Sequence, residues 1–204
     1  VVETEVTPRD FGRIAAQTAK QVVVQRIREA ERGSIYNEYV EKENEILTAI
    51  IDRIEGKQVI VDLGHTQGLL DESNQMPGEE YHINDRIKVY VLEVQRQLKG
   101  PQVLVSRIHP GLIKRLFEIE VPEIRDGIVL IKSIAREAGF RTKMAVTSTD
   151  PMVDPVGSCV GPRGMRVENV VNELKDEKID IIKWSADPAE YIANALNPAR
   201  VLNV

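Results

Sequence analysis

Apolar residues at positions 11, 14, 15, 19, 22, 23, 27 and 30 return every three to four places and predict a helix over residues 8–32. Thr7 suits its N-cap, Pro8 its first helical position and Gly33 its stop. The stretch "VVETEV" ahead of it alternates as a strand does, with no sheet near it in sequence. It reads as the tail of an upstream domain, and the chain as a fragment. The polar segment "GSIYNEYVEKENE" then separates the helix from a strand-rich region. The helix is therefore expected to be a connector outside the core of that region.

From residue 46 the period shortens. "EILTAIIDRIEGKQVIVDLGHTQGLL" holds β-branched runs on either side of a Glu55-Gly56-Lys57 turn. "DRIKVYVLEVQ" and "PQVLVSRI" add two strands, with Lys99-Gly100-Pro101 between them. About 60 residues in roughly five short strands with glycine corners match an OB-fold barrel in size.

Residues 109–198 mix the two periods. His109-Pro110-Gly111 breaks the chain before the amphipathic helix "LIKRLFEIEVPEI". "GIVLIKSIARE" and "RTKMAVTST" come next as strands on either side of Ala138-Gly139. Asp154-Pro155 is a cap and first-position pair that opens a short helix. After the loop Gly161-Pro162-Arg163-Gly164, residues Val167, Val170, Val171 and Leu174 recur at helical spacing, and "KIDIIKWS" closes as a strand. The order is α-β-β-α-loop-α-β. "DPAEYIANAL" adds a helix, and "ARVLNV" reads as the first strand of a truncated unit.

Composition narrows the class. The chain has 204 residues, 42% hydrophobic and 29% charged, as in a globular protein. No apolar run approaches the roughly 20 residues of a membrane span. One cysteine, Cys159, excludes an internal disulfide framework and fits a reducing cytoplasm. At 4% aromatic residues, nucleic-acid contact cannot rest mainly on stacking. The net charge of -5 means that a nucleic-acid surface needs basic residues gathered on faces. Arg86, Lys88, Arg96, Lys99 and Arg107 stand against Glu93 alone, and are expected to guide a strand toward Arg163.

Gly161-Pro162-Arg163-Gly164 has two readings. It can be a plain tight turn with solvated arginines. It can also be a phosphate-binding loop, because glycines let a sugar–phosphate backbone come close to the main chain. The helix after it turns free N–H groups and its positive dipole end to an anion. Arg163 and Arg166 add charge at the same place. The helices on both sides favour the second reading.

That constellation resembles a KH domain, whose G-x-x-G loop clamps roughly four nucleotides. The helix before the first strand resembles the prokaryotic, type II variant, and the barrel upstream resembles an S-one-type RNA-binding domain. "TPRDFGRIAAQTAKQVVVQRIREAER", "VSRIHPGLIKRLFEIEVPEI", "SIAREAGFRTKMAV", "DPVGSCVGPRG" and "DEKIDIIKW" together resemble the NusA family of bacterial transcription factors, across residues 1–204.

The resemblance implies an α+β multi-domain chain: a connector helix, a five-stranded antiparallel OB barrel and a type II KH domain. Residues 1–44 would be the tail and connector helix of a polymerase-binding domain, 45–108 the barrel, 109–198 the first KH domain and 199–204 the start of a second. It implies a non-enzymatic, cytoplasmic monomer without cofactor or membrane contact. Such a protein binds nascent single-stranded RNA on the elongating polymerase and modulates pausing, termination and antitermination. RNA polymerase would be met mainly through the missing N-terminal domain. Other Nus factors and ribosomal protein S-ten would join in antitermination complexes. By position, Gly161, Pro162, Arg163 and Gly164 form the clamp, with Val160 and Val167 flanking it and flooring the groove. The barrel lacks the aromatic often found on such binding faces. His65 either substitutes as a stacking ring or is an exposed turn residue.

Two other functions fit the same pattern: the accessory region of an RNA-processing enzyme such as polynucleotide phosphorylase, and a protein-interaction module without RNA binding. The short link "SRIHPGLIKRLF", stiffened by Pro110, predicts that barrel and KH domain dock rigidly with RNA across both. Asp150 reads as a turn residue, Asp154 as a cap, Cys159 as a packed thiol and Trp184 as core or interdomain surface. His65, His82 and His109 are too dispersed for a metal or triad spacing.

Overall fold

The computed structural model describes residues 12–97, 100–199 and 201. The expected "VVETEV" strand, the Thr7-Pro8 helix start, Lys99 and most of the "ARVLNV" strand lie outside them. The first helix, α1 (Ile14–Val40), does not stop at Gly33 but runs two turns further. A mid-helix glycine costs about 1 kcal/mol relative to alanine. Packing outweighs that cost: Tyr39 is 1% exposed in the barrel core, with Ile35, Tyr36 and Val40 against it. Burying one large side chain stabilises by about 1.5–3 kcal/mol. The two turns added beyond the expected connector, residues 8–32, thus belong to the barrel core. Upstream, Ile14, Val22, Val23 and Ile27 are exposed.

Five strands come next: β1 (Ile46–Glu55), β2 (Gln58–Asp62), β3 (Gln67–Leu70), β4 (Arg86–Gln97) and β5 (Gly100–Ser106). They close into a barrel in the order β1-β2-β3-β5-β4, antiparallel except for the β3–β5 pair, which runs parallel. The two-residue period sends Ile87, Val89 and Val91 inward, and a register shift between Val91 and Glu93 then brings Val94 to the same core. Tyr90, between the inward residues, points out of the barrel into the core of the next unit.

That unit begins with α2 (Pro110–Glu120). His109 caps it: its Nδ1 accepts the Gly111 N–H at 3.0 Å, and Pro110 takes the first helical position. The expected helix "LIKRLFEIEVPEI" is divided, because Val121 precedes a proline and is held extended. A separate turn, α3 (Pro122–Arg125), succeeds it. A sheet of β6 (Val129–Glu137), β7 (Arg141–Ser148) and β8 (Lys178–Lys183) then forms, β6–β7 antiparallel and β7–β8 parallel. Between β7 and β8 lie α4 (Pro155–Val160) and α5 (Met165–Glu173), and α6 (Pro188–Leu196) comes after β8. Leu112, Leu116, Phe117, Met144, Val146, Cys159, Val170 and Leu174 form its core, completed by Tyr90 from the barrel.

Barrel and second unit share a buried seam. The Arg107 side chain is fully buried, and all five of its N–H groups are satisfied. They donate to Glu79 Oε1 and Oε2 at 2.5 and 3.0 Å, to Glu173 Oε1 at 3.1 Å, and to the carbonyls of Lys88 and Glu173 at 2.7 and 2.9 Å. Beside it, Arg136 is paired with Glu177 at 2.8 Å and donates to the His109 carbonyl at 3.0 Å. Tyr90 stacks on His109 with ring centroids 4.5 Å apart. A β-carbon at position 111 would come within 2.5 Å of the Tyr90 ring, so only glycine lets α2 approach this closely. Partial burial, then the Arg136 charge, hold His109 below its ordinary value of 6.5, which keeps Nδ1 free to cap.

Candidate nucleic-acid interface

The glycine loop joins α4 to α5. Gly161 ends α4 with φ 74° and ψ 175°, outside the range of side-chain-bearing residues, and Gly164 precedes α5 with φ 78° and ψ 6°. Arg163 is also left-handed, at φ 56° and ψ 22°. The loop is closed by the Gly164 N–H on the Gly161 carbonyl at 3.1 Å. Gly164 has no side chain to cap the nine-residue α5, so part of the positive end of that helix faces outward. Pro162 and Arg163 are exposed, and among the described residues Arg163 has no hydrogen-bond or ion-pair partner. An unpaired guanidinium, an uncapped helix start and two glycines thus meet at one place in the loop.

The flanking residues hold this point in place. Val160 is half-buried at the end of α4, and Val167 is half-buried against the core. Cys159 is fully buried, and burial, then the nearby Glu123 carboxylate, push its thiol up to about 12. It is a packed thiol. Asp154 caps α4 by accepting the Val156 N–H at 3.2 Å, and Asp150 accepts the Met152 N–H at 2.8 Å in a turn. Trp184 is half-buried, with Lys132 Nζ 4.9 Å above its ring.

Arg166 departs from expectation. Its Nη1 donates to the Ser158 carbonyl at 2.7 Å and to Glu123 Oε2 at 2.9 Å. It lies against the loop from behind, where a side chain at position 161 would collide with its stem. The charge that the sequence assigns to the anion is used on α3 and α4.

Among the described residues, the basic side chains expected to gather on the barrel do not form one patch. Arg107 is buried in the seam. Arg86 and Arg96 are exposed at opposite ends of β4, roughly 33 Å apart at strand rise. Arg96 lies 4.2 Å above the Tyr36 ring of α1. Lys88 is half-buried beside Glu173, with its N–H donated to Glu173 Oε1 at 3.0 Å. The polar hollow there also exposes Glu120, Asn169 and Asn172, so the route from Lys88 along α5 is not a basic track. Lys99 lies outside the described residues.

His65 is exposed, with Nδ1 2.9 Å from Glu38 Oε2 on α1, and its N–H is donated to the Tyr39 hydroxyl at 3.3 Å. Hydrogen bonds from Lys42 and then His65 hold the Glu38 carboxyl below its ordinary value. The ring stands on the rim of an open cleft of about 450 Å³ between α1 and the barrel, floored by Ile60, Leu69 and Pro101. Sequence reasoning missed this cleft and the Arg107 and Arg136 pairs, whose carboxylate partners lie 28 to 66 positions away. No local pattern announces such pairings. Among the described residues no helix is long and apolar enough to cross a membrane.

Three family profiles match successive parts of the chain: the NusA N-terminal domain over residues 1–33, the S1 RNA binding domain over 41–106, and the NusA-like first KH domain over 107–184. The transcription termination/antitermination protein NusA of Bacillus subtilis is 63% identical over 204 residues, covering 100% of this chain and 55% of that protein. The same protein of Halalkalibacterium halodurans is 61% identical over 204 residues, with 100% and 53% covered. That of Thermus thermophilus is 49% identical over 201 residues, with 98% and 52% covered. The chain spans about half the length of these curated relatives.

Proposed function

The chain belongs to the NusA family, and from that premise we propose that it binds nascent single-stranded RNA through the Gly161–Gly164 loop during transcription. In the cell it would act on the elongating RNA polymerase, modulating pausing, termination and antitermination. Other Nus factors and ribosomal protein S-ten are further partners on this reading, and the compartment is the cytoplasm. The division we propose is a polymerase-side segment (1–44), a barrel (45–108), a KH domain (109–198) and the opening of a second (199–204); matches over 1–33, 41–106 and 107–184 support the first three. Since α1 packs its last turns on the barrel, it belongs to both sides of the first boundary.

The observation that carries the proposal is the unpartnered Arg163, held left-handed between two glycines at the uncapped start of α5. Nothing among the described residues uses that charge. Phosphates are the anions that such a point fits, with the glycines giving the sugar–phosphate chain room to approach. Of the barrel residues, Arg96 and His65 border the α1 clefts and remain candidates for RNA. Arg86 does as well at the far end of β4, while Lys88 faces the seam.

The test replaces Pro162 and Arg163 together by aspartate. Both side chains are exposed, aspartate tolerates the left-handed backbone, and negative charge at a helix start is mildly stabilising. Melting should therefore be unchanged. Affinity for a labelled single-stranded oligonucleotide, titrated at two salt concentrations, should be lost for this site. Arg163→Ala should lose only about one phosphate contact, near 0.7 in the salt slope. Unaltered affinity of the double aspartate variant would reduce the loop to a turn.

A further inference from the structure

We propose that Arg166 is the positioning residue of the loop and makes no contact with RNA. Three of the four loop residues have left-handed φ, at 74°, 56° and 78°, a conformation that a chain does not keep without restraint. The main chain supplies short-range restraint, from Gly164 N–H to the Gly161 carbonyl and from Met165 N–H to the Pro162 carbonyl. The longer-range restraint is Arg166. Its guanidinium reaches back eight residues to the Ser158 carbonyl, in the last turn of α4, and sideways to Glu123 on α3. One side chain thus ties the helix before the loop to the helix after it, and both to a third.

The stem of Arg166 explains the first glycine. A β-carbon on residue 161 would stand 2.6 Å from Arg166 Cγ, 2.8 Å from Cδ and 3.0 Å from Cβ. The space that Gly161 leaves is filled from inside the protein. At Gly164 a β-carbon would meet nothing within 4 Å, so that space is left to the outside. The two glycines therefore divide the work: 161 seats the arginine that fixes the loop, and 164 keeps the outer surface open. Glu123 neutralises Arg166 at 2.9 Å, which leaves Arg163 as the charge that the loop offers to an anion.

This inference rests on the RNA-binding reading of the loop, but half of its test does not. Arg166→Met keeps most of the stem and deletes the guanidinium. In the RNA-free protein, the hydrogen-bonded amides of Gly161, Gly164 and Met165 should exchange with solvent at least about tenfold faster than in wild type, while exchange in β7 stays the same. RNA affinity should fall by about tenfold with an unchanged salt slope, since no phosphate contact is removed. Arg166→Lys should restore part of both, and Glu123→Gln should shift both in the direction of Arg166→Met. A salt slope lowered by about 0.7, with loop exchange unchanged, would make Arg166 a phosphate ligand and overturn the proposal. Wild-type loop exchange together with wild-type affinity in Arg166→Met would overturn it as well. If the wild-type chain bound no RNA, the function proposed above would fail, and the exchange comparison would still decide the positioning role.

Discussion

A β-carbon meets Arg166 at position 161 and open space at 164, so alanine should act differently at the two sites. At 164 the cost is the left-handed backbone alone, about 1–2 kcal/mol. At 161 the backbone is of a kind that only glycine adopts freely, and the new methyl also has to displace Arg166 from Ser158. We expect Gly161→Ala to lower stability by more than Gly164→Ala, measured as the shift in urea midpoint. In RNA titration the loss should have different origins: a disordered loop at 161, and a blocked approach for the phosphate at 164. A smaller stability loss at 161 than at 164 would contradict this division. In the sequence the two glycines are alike, because what separates them is a side chain folding back from position 166.

At the scale of elements, the N-cap of α2 carries a pH signature. His109 accepts the Gly111 N–H through a neutral Nδ1, and partial burial, with Arg136 nearby, depresses its folded pKa below 6.5. Unfolding then takes up a proton wherever the unfolded imidazole is charged and the folded one is not. This contribution to stability is present above 6.5 and is lost as pH falls below it. His109→Asn keeps a cap acceptor and removes the titration. Its stability should be flat through that range where wild type declines, as read from urea midpoints. The elements themselves were largely legible in the sequence. Period-two runs gave the barrel strands, Asp154-Pro155 opened α4, and the two glycines ended α4 and preceded α5. Errors fell where distant packing overrode local preference. Gly33 lies inside α1 because Tyr39 is buried in a barrel not yet begun in sequence, and Arg107 joined a surface patch because its acids lie far away.

At the scale of the whole molecule, the expectation of rigid docking rested on a short link and one proline. The structure offers a stronger basis in the bonds of Arg107 to Glu173 on α5 and the Tyr90–His109 stack. A buried pair adds little over an apolar replacement, yet losing one partner costs about 3–5 kcal/mol because the other charge stays buried. Arg107→Met should therefore destabilise the chain by about that amount, leaving Glu79, 1% exposed, without its guanidinium. Combining it with Glu79→Leu should recover part of the loss. Full additivity of the two changes in urea unfolding would argue against a coupled pair. The RNA-contact expectation, by contrast, needed the surface map. Arg86, Lys88 and Arg96 are neighbours in sequence but look to a barrel end, a seam and a cleft respectively.

The buried Arg107 also sets an order of events for a chain made from its N-terminus. The last barrel strand is finished at Ser106, but the Glu173 that completes the guanidinium's shell is added 66 residues after Arg107. Until then Glu79 and Arg107 sit at a half-built surface, open to water. A nascent barrel should accordingly be softer than the finished one, acquiring its full cooperativity only when α5 leaves the ribosome. Barrel segments released at residue 108 and at residue 184 would be compared for protease resistance of β4. Equal resistance would mean that the barrel matures by itself, and that the seam only fastens two independent halves.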